Sequence, residues 1–81
     1  MISQTCIPLT EAKPGALVQL VAINGGRKLA RRIVELGLTP GVKLKVLHDS
    51  GGPMIIAVRD SRIALGRGMA EKLSVSLMEE N

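Results

Sequence analysis

Eighty-one residues, with eleven Lys and Arg against seven Asp and Glu for a net charge of +4 and no Phe, Tyr or Trp, make one small domain, residues 1–81, that leans toward acidic partners. A chain this short buries only about 60 to 65% of the surface its unfolded form exposes, so nearly every apolar side chain goes into packing and little volume is left for a closed substrate pocket. The missing rings remove the platforms on which single-stranded nucleic acid stacks, and the charge falls short of a dedicated DNA binder, so no nucleic acid partner is expected.

The start of the chain, Met1 to Pro8, has no basic segment followed by an apolar one, and no window approaches the eighteen or so apolar residues of a membrane span. The single cysteine, Cys6, excludes an internal disulfide framework and fits a reducing compartment, so the expected location is cytoplasmic, without direct membrane insertion. Pro14-Gly15 launches a strand through Val21, and Pro40-Gly41 launches a second through Leu47, a weak internal echo. In the second copy Val42, Leu44 and Val46 alternate with Lys43 and Lys45, the period of a strand with one face in the core. The first copy lacks that alternation, which suits a strand covered on both faces.

Between them the spacing predicts a helix over about Arg27 to Leu36. Leu29, Ala30, Ile33, Val34 and Leu36 are assigned to its apolar side, and Arg27, Lys28, Arg31, Arg32 and Glu35 to its polar side. Gly37 stands where a left-handed residue ends the helix, letting Leu38 fold back onto Ile33. Thr39-Pro40-Gly41 then turns the chain, proline presetting the first turn angle and glycine accepting the positive one.

Downstream, Asp49-Ser50-Gly51-Gly52-Pro53 is turn chemistry that pairs the second strand with Met54 to Val58 as a hairpin. Asp60-Ser61 reverses the chain into Arg62 to Leu65, Gly66 to Glu71 reads as a single helical turn, and Leu73 to Leu77 alternates as the last strand. A polar tail, Glu79-Glu80-Asn81, is expected to be loose. Five short strands with one inserted short helix describe a mainly β, small antiparallel barrel, whose closure would protect the strand edges. An apolar edge left open would instead pair copies into a homo-oligomer.

Chemistry has few candidates. His48, Asp49 and Ser50 are consecutive at a hairpin tip, whereas a catalytic triad converges from separate elements, so no enzyme is predicted and no catalytic residue is assigned. The glycines at 51–52 and 66–68 lack the spacing of a phosphate-binding loop. The potential metal ligands, His48, Asp49, Asp60, Glu35, Glu71 and Cys6, include no paired spacing that sets two on one face. No cofactor or tight metal site is therefore expected, with only loose divalent binding left to exposed carboxylates.

The helix's polar face is different. Arg27 with Arg31 and Lys28 with Arg32 place like charges four apart, at a cost of about 0.2 to 0.5 kcal/mol per pair. Arg27 and Lys28 also lie in the first turn, where the helix dipole favours anions. Glu35 is placed to relieve this by reaching Arg31 and Arg32. A solvated face whose stems cover the barrel would carry such charges; so would a surface for an acidic partner.

Taken together, the residues resemble the FeoA family, the small A component of bacterial ferrous iron transport. The resemblance runs through Leu9, Pro14-Gly15, Val18 with Val21, Gly25-Gly26, Leu29, Arg32-Ile33, Glu35-Leu36-Gly37-Leu38, Pro40-Gly41, Gly52-Pro53, Arg62-Ile63-Ala64-Leu65, Ala70 and Val75. The one departure noted is Ile33 where leucine is often seen. The resemblance implies an SH3-like barrel and a cytosolic partner for the large membrane component that carries a GTPase domain and moves Fe(II). It also brings in an alternative, a divalent metal-sensing domain like the one appended to metal-responsive regulators. The expected partner-binding residues are Arg27, Lys28, Arg31, Arg32, Leu38 and Pro40.

Overall fold

In a computed structural model, which describes residues 5–78, the chain forms strand β1 (Cys6–Pro8), a 3₁₀ turn (Leu9–Glu11), β2 (Leu17–Ile23), helix α1 (Arg27–Glu35), β3 (Lys43–His48), β4 (Met54–Val58), β5 (Ser61–Leu65), the short helix α2 (Arg67–Ala70) and β6 (Leu73–Leu77). The strands make one antiparallel sheet in the order β1, β6, β2, β3, β4, β5. The mainly β, SH3-like character and the inserted helix match the sequence expectation. Strand number and closure are corrected: among the described residues there are six strands, and the ladder is not closed but ends on β1 and β5. β1 escapes a sequence reading because it is three residues long and ends in Pro8, too short to show a period. The same features blunt it as an edge, since proline offers no N–H to an incoming strand. The tail Glu79 to Asn81 lies outside the described residues.

The echo between the two Pro-Gly segments is structural. Lys13 to Ala16 and Thr39 to Val42 each close a turn, with Ala16 N–H donating to Lys13 O at 2.9 Å and Val42 N–H to Thr39 O at 3.0 Å. Gly15 and Gly41 take φ of 90° and 97°, the positive angle that proline-glycine turns require. The two launched strands then pair with each other in reciprocal fashion. Gly15 N–H donates to Val46 O and Gly41 N–H to Leu20 O, both at 2.7 Å, while Val46 N–H reaches Ala16 O and Leu20 N–H reaches Val42 O. β2 and β3 are thus related by a local pseudo-twofold at the centre of the sheet.

Each echoing segment also ends in a bulge. The register slips between Leu20 and Ala22 against β6, and between Val46 and His48 against β4. Val21 and Leu47 are the extra residues, and both are exposed. The slip explains why β2 lacks clean alternation. Its face assignment changes partway along, so it is not covered on both faces: Val18 and Leu20 are buried and Val21 is not. The reversal into β5 likewise sits one residue earlier than expected, on Arg59-Asp60, with Arg59 at φ 56° and Ser61 already paired with Val58.

One core fills the domain, built from aliphatic side chains alone. Leu9, Val18, Ile33, Leu38, Val46, Met54, Ile56, Ala70, Leu73 and Val75 are fully buried at 0% exposure. Ser76 is the single buried polar residue among those described. Of the helix, only Ile33 is fully buried, with Leu29 half-buried against the same core, so α1 lies on the domain's surface and contributes a narrow apolar stripe to the interior.

Candidate functional site

α1 is fastened at both ends rather than along its length. Before it, Asn24 N–H donates to Lys72 O and Asn24 Nδ2 to Ser74 Oγ, each at 2.6 Å, tying the helix entry to β6. Gly25 allows the chain to pass against the helix, where a Cβ would lie 2.5 Å from Leu29 Cδ2. After it, Gly37 takes φ 92°, its N–H bonds Val34 O at 2.9 Å, and Leu38 N–H bonds Ile33 O at 3.1 Å. This pair of bonds is the glycine-terminated cap expected from the sequence. The following turn is held to β2 by Gly41 N–H on Leu20 O and by Gln19 Nε2 donating to Gly41 O at 3.0 Å.

Of the six residues assigned to partner binding, Arg27, Lys28, Arg31 and Arg32 are exposed on one side of α1, and Pro40 is exposed on the turn beyond it. The four cations and Glu35 line an open recess of about 420 Å³ on the helix's outer face. Leu38 is fully buried beside Ile33 in the core cluster, so it holds the turn from inside and has no surface to offer a partner. Its hydrophobicity places it under the cap, which the sequence reading also recognised.

The electrostatics of the face are less balanced than expected. Glu35 was placed to pair with Arg31 and Arg32, but the one ion pair among the described residues joins Arg67 to Asp49 elsewhere. Gly26 caps the helix without a side-chain hydrogen bond, and no acidic residue stands in the first turn. The helix dipole's positive end and four guanidinium and ammonium groups therefore face water together, with no counter-charge within ion-pairing distance among the described residues.

Two residues of the site were misassigned from the sequence. Val34 and Leu36, placed on the core side, are 46% and 37% exposed. The signal was in the spacing: Val34 follows Arg27 by two helical turns and Leu36 follows Arg32 by one, so each shares a cation's side of the helix. Two apolar side chains consequently flank the basic strip.

The hairpin tip between β3 and β4 holds the other candidate cluster. His48 Nε2 lies 3.1 Å from Ser50 Oγ, but Asp49 turns away to accept a 2.5 Å hydrogen bond from Arg67 Nη1, the first residue of α2. That guanidinium holds the Asp49 carboxyl below its ordinary 3.8, outweighing the opposing cost of burial, with the Gly51 N–H adding to the lowering. No hydrogen bond joins Asp49 to His48 among the described residues, so the imidazole has no orienting third group. The contact pins the hairpin tip to α2, a link the sequence does not show because its partners are far apart in the chain. Cys6, Glu35, Asp60 and Glu71 are dispersed over β1, α1, the β4–β5 turn and the end of α2. Among the described residues no three Cys, His, Asp or Glu side chains gather where they could hold a metal ion. Nor is any helix long and apolar enough to cross a membrane.

Comparison with known proteins places this arrangement. The FeoA domain profile matches residues 7–77. A relative from Methanocaldococcus jannaschii, named "Putative Fe(2+) transport protein A", is 43% identical over 68 residues, covering 84% of this chain and 83% of its own. The crystal structure of an iron uptake regulatory protein, FeoA, superposes with a TM-score of 0.87 at 37% identity, covering 91% of this chain and 100% of that one. A manganese-dependent transcriptional repressor shares the fold at 18% identity, with a TM-score of 0.86 over 95% of this chain and 44% of its own. With the profile spanning nearly all of the described strands and helices, this chain belongs to the FeoA family.

Proposed function

We propose that this chain is a non-enzymatic cytoplasmic accessory protein of ferrous iron uptake that docks on the large membrane GTPase component of the transporter. The docking surface is the outer face of α1, with Arg27, Lys28, Arg31 and Arg32, continued by the exposed Pro40 on the adjoining turn. One observation carries this reading: four cations crowd one face of a rigidly fastened helix, and none has an ionic partner among the described residues. Like charges four apart lower helix stability, and cations in a first turn lower it further, so the arrangement works against the fold and suits an acidic surface brought by another protein. Membership of the FeoA family, and a relative named for Fe(2+) transport, support ferrous iron uptake as the setting.

The reading assigns the chain no resident cofactor and treats divalent binding at exposed carboxylates as incidental. Its test is a titration of the transporter's soluble GTPase region with this protein, following association and nucleotide turnover together. Saturable association that weakens with added salt is expected. Failure to associate with either that region or the intact membrane component would remove the reading. Micromolar one-to-one binding of Fe(II) or Mn(II), lost on changing His48, would favour a metal-sensing role in its place.

A further inference from the structure

The exposed apolar side chains on α1 deepen this reading. We infer that the partner straddles the helix: an acidic protein groove lies over Arg27, Lys28, Arg31 and Arg32, and apolar walls on its two sides receive Val34 and Leu36. The inference rests on the proposal that the basic face is the docking surface. It adds what the partner's surface must look like and which side chains hold it there.

Three observations carry it. Val34 and Leu36 are 46% and 37% exposed on a helix otherwise lined with charge, and each shares a side with a cation, so the apolar contacts and the charges engage one occupant. Among the described residues the four cations have no ion-pair partner, which favours an acidic occupant over face-to-face pairing with a second copy of this chain, whose equivalent face would repel. The helix is tied at its entry to β6 through Asn24 and at its exit to β2 through Gly41, leaving its outer half rigid and free of other elements. A rigid amphipathic helix laid into a groove is a recurring recognition mode, in which apolar anchors set the lifetime of the complex and charges set the encounter rate.

These roles separate in experiment. The chain, isotopically labelled for NMR, is titrated with the transporter's soluble GTPase region, with a synthetic acidic helical peptide bearing Glu and Leu on one face, and with a peptide of equal charge lacking the leucines. The amphipathic peptide should shift the amides of residues 27–38 and bind at least tenfold more tightly than the purely acidic one. Replacing Val34→Ala together with Leu36→Ala should weaken binding about tenfold through faster dissociation, with unchanged salt dependence and an unchanged melting temperature. Arg31→Glu should instead slow association and flatten the salt dependence.

Equal binding of the two peptides, or no effect of the double alanine variant, would overturn the inference. So would shifts confined to residues away from α1, even if the GTPase region binds, and so would absence of binding by all three probes. Binding of the amphipathic peptide at α1 without binding of the GTPase region would uphold the straddled helix while removing the assigned partner.

Discussion

Replacing Gly37→Ala isolates the contribution of backbone geometry to the docking helix. Gly37 holds φ 92°, and a Cβ added there would meet no atom within 4 Å, so the substitution introduces no clash and its cost is that of forcing an L-residue into the left-handed region. That cost is about 1 to 2 kcal/mol. In a domain of this size a loss of 1 kcal/mol lowers the melting temperature by roughly 4 to 8 °C, giving an expected drop of about 4 to 16 °C. Circular dichroism during heating measures it directly. Gly52→Ala is the control, since Gly52 also has open space around its Cβ position but no positive φ, and it should not lower the midpoint but raise it by about 2 to 8 °C through the stiffer unfolded chain. The cap also supplies the bonds from Gly37 and Leu38 to the last turn, so amide exchange at both positions should speed up in the alanine variant. Equal melting temperatures for Gly37→Ala and Gly52→Ala would refute the assignment of the cap as the element that ends and anchors α1.

Three further outcomes follow from the same geometry. Leu38→Ala empties a site at 0% exposure and should cost about 2 to 5 kcal/mol, read by urea unfolding, whereas Pro40→Ala should cost less than about 1 kcal/mol. The Asp49 carboxyl is held below 3.8 in the folded state, so its stabilising effect is complete above that value and is lost as pH falls through the lowered one. The melting temperature of Arg67→Met should therefore lie below that of the unaltered protein at pH 6, with the gap narrowing steadily below pH 4. Arg27→Glu puts an acid in the first turn and opposes Arg31 one turn later, so thermal unfolding should show a gain of about 0.5 to 1.5 kcal/mol in stability.

Features set by local backbone chemistry were legible in the sequence. Gly37 with Leu38, and the Pro14-Gly15 and Pro40-Gly41 turns, adopt their expected conformations because each depends on φ preferences of two or three adjacent residues. The hairpin of β3 and β4 follows from alternation and a glycine-rich loop. What escaped depends on distant partners or on a residue's angular position. The bulges at Val21 and Leu47 arise where one strand outruns its neighbour, and nothing in either segment alone marks the extra residue. β1 exists because β6 pairs with it. The basic side of α1 was read correctly from Arg27, Lys28, Arg31 and Arg32. The assignment of all remaining residues to the core failed at Val34 and Leu36, since a surface helix touching the interior through Leu29 and Ile33 buries a narrower stripe than a two-sided division implies. Leu38 failed as a contact residue for the converse reason: the turn that exposes Pro40 drives Leu38 inward.

The central claim is that the outer face of α1 serves binding at the expense of stability. The most direct measurement compares the unaltered protein with Arg27→Glu/Lys28→Glu, which puts acids in the first turn opposite Arg31 and Arg32 one turn later, recording the melting temperature and association with the transporter's soluble GTPase region in the same buffer. The account predicts that the double variant melts at least as high as the unaltered protein and no longer associates. A variant that melts well below the unaltered protein, or that associates as tightly, would contradict it.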